Sequence, residues 1–299
     1  MRAESPSAPA VTALPRPFLK WAGGKQQLLP ALRAATPSSF ERYIEPFLGG
    51  GALFFALAQD GRIPTTPGAA VLADLNAELV TTYIEVRDDL DRLAGRLAEL
   101  EAAYLPADAE TRAAMFYATR DESPTSPLEV AARLFFLNKT CFNGLYRVNR
   151  SGRFNVPHGR YSRPRILDRP TLEAASAALC HVEVRIADFE AVCADARRGD
   201  FVYLDPPFHP LSPTSSFTAY TRDDFGREDQ LRLKWLMDDL TERGVAVMLS
   251  NSPHPWLVGL YEADRGRYRV ERVPARRAIN ARGAGRGAID ELLVTNDPR

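Results

Sequence analysis

No stretch of the sequence approaches the ~20 consecutive apolar residues that a membrane-spanning helix requires, so no membrane partner is expected. Cysteine is sparse. Cys141, Cys180 and Cys193 are odd in number and far apart, without metal-ligand spacing, which reads as reduced and mostly packed thiols rather than a disulfide scaffold or a metal site. Lysine is scarcer than its partner base: Lys20, Lys25, Lys139 and Lys234 stand beside 34 arginines. Net charge is missing as well, because 38 basic residues balance 38 acidic ones. A neutral whole argues mildly against a nucleic-acid partner. There are no internal repeats. The start, Met1 to Arg16, is rich in Ala, Pro and Ser and has no apolar signal-peptide core, and reads as a disordered tail on a cytoplasmic protein.

What the chain does have is segregated charge. From Arg133 to Arg169 nine Arg or Lys face the single Asp168, and from Arg267 to Gly287 seven Arg face Glu271. The stretch Glu85–Glu122 offsets them with ten acidic residues against five Arg. Such blocks make basic surfaces on a neutral molecule. With 299 residues, 45% of them hydrophobic, the chain can bury a sizeable core as one large domain or as a core with an inserted lobe.

Periodicity sets the layout. Tyr43–Glu45, a glycine cluster and the apolar Ala52–Ala58 read as strand, turn and helix; Ala70–Asp74 is a second buried strand. Leu90, Leu93, Leu97, Leu100 and Tyr104 recur at helical spacing and open a helical stretch to about Leu137, broken at Pro106 and Ser123–Pro127. Leu145–Val148 and Arg153–Val156 flank the turn-rich Asn149–Gly152, a hairpin pattern. Strands return at Val182–Ile186, Phe201–Leu204 and Val245–Leu249, with a helix over Asp229–Arg243. Tyr268–Val273 and Glu291–Thr295 look like a closing antiparallel pair. Alternating strands and helices predict an α/β fold with a mostly parallel sheet. The expected division is a tail at 1–16, a catalytic core at 17–80 and 166–299, and an inserted helical and β-hairpin lobe at 81–165.

Two sites stand out. Phe47-Leu48-Gly49-Gly50-Gly51 follows a strand and precedes a helix, where glycines let the backbone turn tightly and approach a ligand. Asp74, 23 residues after Gly51, ends the next strand, where a carboxylate can take ribose hydroxyls. Three glycines after a strand are often a tight turn and nothing more; with Asp74 a nucleoside-type ligand is the better reading. The second site is Asp205-Pro206-Pro207-Phe208, directly after the buried strand Phe201–Leu204. Its prolines stiffen the loop and remove two donors. Asp205 and the Pro206 carbonyl can then accept both hydrogens of an exocyclic amine, and Phe208 offers a stacking face. A strand end capped by a rigid loop is the plain alternative.

Four passages, in order, resemble the Dam-like family of adenine-N6 DNA methyltransferases: Phe18–Lys25, Glu45–Gly51, Phe142–Arg147 through Phe154–Pro157, and Leu204–Phe208. The resemblance runs from about Phe18 to Thr295 and implies a Rossmann-like methyltransferase core whose inserted lobe recognises the target. It departs at Phe208, where the family usually has Tyr. It implies S-adenosylmethionine as cofactor, held by Trp21, Lys25, Glu45, Phe47, Gly49, Gly51, Asp74, Asp188, Phe189 and Asp205. Catalysis would fall to Asp205, Pro206 and Phe208. Read from the residues alone, Trp21 is ordinary core and Lys25 a surface charge; the resemblance makes Lys25 a partner for the methionyl carboxylate.

Double-stranded DNA is the implied partner. A two-stranded ribbon fits the major groove, and Arg bidentate to guanine is the commonest specific contact. The resemblance assigns guanine readout to Lys20 and Arg147, base packing to Leu145 and Pro157, and a further contact to Tyr161. It makes Phe142 a wedge in the base stack and places Asn143 against the orphaned base. Lys139 brackets the hairpin with the same basic character, and Arg276, Arg277, Arg282 and Arg286 are candidates for phosphate contact. A solvated charged hairpin is the plain alternative. The implied activity is site-specific, on GATC or a related GAT-containing site, by a monomer that a cognate restriction endonuclease could accompany. Rivals are an RNA adenine or protein glutamine methyltransferase, and a silent DNA-binding protein on the same scaffold.

Overall fold

A computed structural model describes residues 13–21, 23–149, 151–209, 225–264, 266–276 and 288–296. Seven strands form one sheet: β1 (Tyr43–Glu45), β2 (Ala70–Asp74), β3 (Val182–Ile186), β4 (Phe201–Leu204), β5 (Ala246–Asn251), β6 (Arg269–Arg276) and β7 (Ala288–Thr295). Their order is β3-β2-β1-β4-β5-β7-β6. β1 to β5 are mutually parallel, and β7 runs antiparallel to both β5 and β6. The α/β fold and its antiparallel C-terminal strand are as expected.

The short central strands read as unbroken apolar runs because both faces of a parallel sheet are covered. Side chains alternate across the sheet. Tyr43, Leu72, Val184, Phe201, Tyr203 and Met248 enter one core. Ile44, Val71, Ala73, Val202, Leu204, Val247 and Leu249 enter the other. The second core is closed by α8 (Phe189–Cys193), α9 (Arg227–Glu242) and α10 (Pro255–Glu262). The first is closed by α1 (Leu29–Ala35), α2 (Ala52–Gln59), α3 (Ala77–Asp88) and α7 (Arg169–Leu179).

The stretch between β2 and β3 holds α4 (Leu90–Tyr104), α5 (Ala109–Asp121), α6 (Pro127–Thr140), a 3₁₀ turn at Phe142–Gly144 and the hairpin. Its buried Leu97, Tyr104, Phe116 and Phe136 belong to the same core as α2 and α3. A continuous helix, α3, runs across the expected 80/81 boundary, capped by the Asn76 side chain on the Leu79 amide as helix starts require. The hairpin is narrower than its pattern implied. Among the described residues it holds the antiparallel bridge Val148↔Phe154, with Cys141↔His158 beyond its open end, and is closed by the Asn149 carboxamide accepting from the Ser151 and Arg153 amides.

Pro15 and Arg16, at the end of the expected 1–16 tail, are tied to the core. Arg16 donates to Thr171 Oγ1 at 2.9 Å and pairs with Asp168 at 3.2 Å, and the Pro15 carbonyl accepts from Gln59 at 2.6 Å. Residues 1–12 lie outside the described residues, as do Arg150, Arg277, Arg282 and Arg286. Cys141 and Cys193 are buried, and Cys180 is exposed. Among the described residues no helix is long and apolar enough to cross a membrane.

Candidate active site

In an open α/β sheet, ligands bind outside the carboxyl ends of the strands, where the strand order reverses. That point lies between β1 and β4, and the glycine loop and the Asp205 loop meet there. Gly51 sits at φ +63°, a conformation that a side chain would strain, and a Cβ there would approach the Tyr83 hydroxyl at 3.0 Å. A Cβ on Gly49 would come within 3.0 Å of Trp21 Cδ1. Only glycine lets Trp21 lie on this loop. Asp74 fixes the turn, accepting the Gly49 amide at 3.1 Å and the Asn76 amide at 2.9 Å. Each carboxylate oxygen keeps a lone pair for a sugar hydroxyl.

The second loop is clamped from behind. The Ser250 hydroxyl donates to Asp205 Oδ1 at 2.7 Å, and Tyr203 lies 3.0 Å from Ser250 Oγ. Asn251 Oδ1 accepts from the His209 amide, Ser252 Oγ donates to the His209 carbonyl, and Gln230 donates to the Pro207 carbonyl. Among the described residues the Pro206 carbonyl takes no donor, which leaves it as the loop's second acceptor beside Asp205. Ser250, Asn251, Ser252 and Gln230 were missed in the sequence. For the first three the signal was the polar triplet closing an otherwise apolar strand; Gln230, in a helix that begins at Arg227, carried none.

Lys25 is not a surface charge; it is 2% exposed. Its ammonium reaches Asp205 Oδ1 at 2.9 Å and Glu291 Oε2 at 3.5 Å, donates to the Gly23 carbonyl at 3.1 Å, and lies 4.2 Å from the centre of the Phe208 ring. A buried ammonium needs counter-charge. The structure supplies it from Asp205 and Glu291.

Acidic groups crowd the strand ends. Glu45 accepts the Tyr43 hydroxyl at 2.8 Å and is almost wholly buried. Burial, with the charges of Asp205 and Asp74 adding to it, pushes its carboxyl well above the usual range. Burial also raises Asp74. Glu291 is raised by burial and by Asp205, against the opposing pull of Lys25. At 3.5 Å from the Lys25 ammonium, its Oε2 is otherwise without a hydrogen-bond donor among the described residues.

The raised Glu291 carboxyl binds its proton more tightly in the folded state than in the unfolded chain. Its contribution to stability is therefore complete below the ordinary carboxyl range and is lost as pH rises through the raised value. Glu291→Gln cannot ionise. Its stability relative to the parent should climb as pH rises from about 4 toward 8, as read by thermal unfolding across that range. A constant difference would show that Glu291 ionises freely.

Asp188 caps α8 through the Glu190 amide at 3.0 Å and pairs with Arg232 at 3.0 Å. Phe189 is 3% exposed, stacks on Phe47 at 5.4 Å and lies beneath the Arg232 guanidinium at 4.7 Å. Phe47 and Arg232 thus cover most of its ring.

The basic face is assembled around the 3₁₀ turn. Phe142 is 52% exposed, and Asn143 adopts φ +57°, the left-handed region that Asn tolerates better than most residues. Tyr161 accepts the Asn143 amide at 3.0 Å and lies under the Lys20 ammonium at 5.4 Å. The Phe142 amide donates to the Pro157 carbonyl at 2.9 Å. Gly144 at φ +64° gives Lys20 room, since a Cβ would sit 2.3 Å from Lys20 Cδ. Arg147 is exposed and held by Asn155 through Oδ1 at 2.7 Å and the carbonyl at 3.1 Å. Leu145 is half-buried beside them. Lys20, Phe142, Asn143, Leu145, Arg147, Pro157 and Tyr161 thus gather in one region.

Lys139 does not join them. Its ammonium turns inward to the Phe18 carbonyl at 2.6 Å. Burial, with the Lys20 charge adding to it, pushes its pKa down to about 8. On α6 this side chain is half-buried and packs against the incoming Arg16–Phe18 segment, apart from the residues around the 3₁₀ turn.

Residues 21–279 match the family described as D12 class N6 adenine-specific DNA methyltransferase. The chain is 41% identical over 293 residues to the type II methyltransferase M.MjaIII of Methanocaldococcus jannaschii, covering 94% of this chain and 99% of that one. It is 40% identical to the type II methyltransferase M1.LlaDCHI of Lactococcus lactis subsp. cremoris, over 94% of this chain and 95% of that one. With the DNA adenine methylase of Escherichia coli K12 it shares 35% identity, over 95% and 96% respectively. A match across most of the length, on a sheet whose strand ends carry a glycine loop and an Asp-Pro-Pro-Phe loop, leaves one assignment: the chain belongs to the D12 class of N6 adenine-specific DNA methyltransferases.

Proposed function

We propose that this enzyme uses S-adenosylmethionine to methylate a flipped-out adenine within GATC or a related GAT-containing site of duplex DNA. The observation that carries this reading is the meeting of the two loops beside the Trp21 cradle, with the hairpin's basic and aromatic residues in one group. The cofactor supplies a methyl already electrophilic on its sulfonium sulfur. The chain's own part is to hold and orient. Asp74 and the backbone of Gly49 and Gly51 seat the nucleoside, and the acidic strand ends suit a cationic ligand. Asp205 and the Pro206 carbonyl accept the two N6 hydrogens, which favours a tetrahedral nitrogen and frees its lone pair. Most of the catalysis is positioning and electrostatics, and the N6 proton leaves to solvent after transfer.

Phe142 is placed to fill the space of an extruded base, with Asn143 next to the orphaned partner. Lys20 and Arg147 read guanines from the major groove. The type II designation of two relatives supports a cognate restriction endonuclease as companion, and the enzyme acts as a monomer. The test is transfer of labelled methyl from S-adenosylmethionine to a GATC duplex, to duplexes altered by one base pair, and to RNA. Equal transfer to all duplexes would overturn the site assignment, and transfer to RNA alone would overturn the substrate.

Phe208→Ala should slow transfer roughly 5- to 150-fold, since stacking contributes ~1–3 kcal/mol per base. Phe208→Tyr should be tolerated, because a tyrosine ring offers the same face to a base and to Lys25. Single-turnover rates decide this. Equal damage from both substitutions would remove the stacking role.

A further inference from the structure

Tyr146 lies between the two halves of the site and belongs to neither. It precedes Arg147 in the hairpin, is 5% exposed, and stacks on Trp21 with ring centroids 4.9 Å apart and planes 21° from parallel. Trp21 therefore has the glycine loop on one side and a hairpin residue in ring-to-ring contact. The Tyr146 hydroxyl donates to Glu78 Oε2 at 2.9 Å. Glu78 is in the first turn of α3, four residues after Asp74. Its Oε1 accepts from Arg133 at 2.9 Å. Arg133 is itself buried, donating to the Thr119 and Arg120 carbonyls at 3.0 and 2.7 Å. Glu78 is thus braced from behind, and the tyrosine hydroxyl has a fixed seat.

We infer that Tyr146 is a positioning residue that couples engagement of DNA by the hairpin to the grip of Trp21 on the cofactor, a role that rests on Trp21 contacting the cofactor as proposed above. The geometry makes the coupling direct. In extended chain, consecutive side chains point to opposite sides, so Arg147 faces outward while Tyr146 faces Trp21. A shift of the hairpin as Arg147 engages a base moves the ring that backs Trp21. The coupling is reciprocal: bound cofactor must strengthen duplex binding by the same factor that duplex strengthens cofactor binding. The hydroxyl and the ring divide the work. The ring transmits the contact, and the bond to Glu78 fixes where the ring lies.

The test is calorimetric titration of the full chain with S-adenosylhomocysteine, with and without a saturating GATC duplex. In the parent the duplex should tighten binding of the analogue about tenfold. Tyr146→Leu should bring that ratio to within about twofold. Tyr146→Phe keeps the ring and guards against a misfolded hairpin; it should reduce the ratio severalfold while melting near the parent. In steady state, Tyr146→Phe should raise KM for S-adenosylmethionine in the presence of duplex more than it lowers kcat. A merely structural role would lower the melting temperature and leave the ratio intact. A parent ratio of one, or parent-like ratios in both variants, overturns the coupling. Trp21→Ala separates the two levels of the proposal. If it weakens the analogue while the Tyr146 variants keep the parent ratio, only the coupling fails. If it leaves analogue affinity untouched, the cofactor reading of Trp21 fails first.

Discussion

Asp205→Ala should lower kcat on the order of 10³-fold or more while leaving duplex affinity and the fold largely intact. Removal of one preorganised group from a catalytic centre typically costs 10²–10³-fold, and here the loss is compounded. The carboxylate is aimed by Ser250 at 2.7 Å and by Lys25 at 2.9 Å, so alanine deletes both the amine's acceptor and the partner that fixes the lysine. Lys25 would keep Glu291 at 3.5 Å, which spares the protein an unpaired buried ammonium. The hairpin and the Lys20–Tyr161 contact rest on other elements and should bind DNA as before. Single-turnover methylation beside a duplex-binding titration makes the comparison. A variant that turns over at the parent rate would remove Asp205 from the chemistry, and one that loses rate and duplex affinity together would show a disrupted fold.

Arg147→Ala should loosen specificity at one position rather than slow the enzyme evenly. The guanidinium is oriented by two contacts to Asn155, which would present it to a base edge in a fixed attitude. A bidentate contact to guanine contributes ~1–3 kcal/mol of discrimination, equivalent to roughly 5- to 150-fold. The expected loss falls at the outer C·G pair of GATC, with the other positions still strict. A residue that touches only phosphate behaves otherwise: its removal weakens binding on all sequences and flattens the salt dependence. Methylation rates on duplexes that each differ from GATC by one base pair resolve the two cases. Uniform slowing would reduce Arg147 to a backbone anchor and pass the reading role to another element.

Local pattern carried the fold. The strands Ala70–Asp74 and Phe201–Leu204 have the bounds their apolar runs implied, because strands buried on both faces leave an uninterrupted signal, and the edge strand Val182–Ile186 was legible from its alternation of apolar and charged residues. The glycine loop and Asp-Pro-Pro-Phe were legible for a similar reason: each is a contiguous run whose backbone chemistry is set by its own residues. Helices α1, α7 and α10 were not read in advance. Each begins with a proline at its first or second position, which as a bare sequence signal reads as a break as readily as a start.

The sequence by itself determined that an α/β sheet would present a glycine turn, Asp74 and Asp205 at strand ends, since those facts depend on order along the chain and on spacing. Only the tertiary structure decided which charges meet. Lys25 and Glu291 are 266 residues apart, and they face one another because β7 runs antiparallel into the sheet, pairing Leu292 with Asn251. That reversal brings the start of the last strand to the carboxyl edge, where the ends of β1, β2 and β4 already are. The inward turn of Lys139, the shielding of Phe189 by Arg232 and the stacking of Tyr146 on Trp21 have the same origin. Each depends on which distant segment packs against a residue, and burial then forces a charge to find a counter-charge or a carbonyl. Periodicity carries no record of that choice.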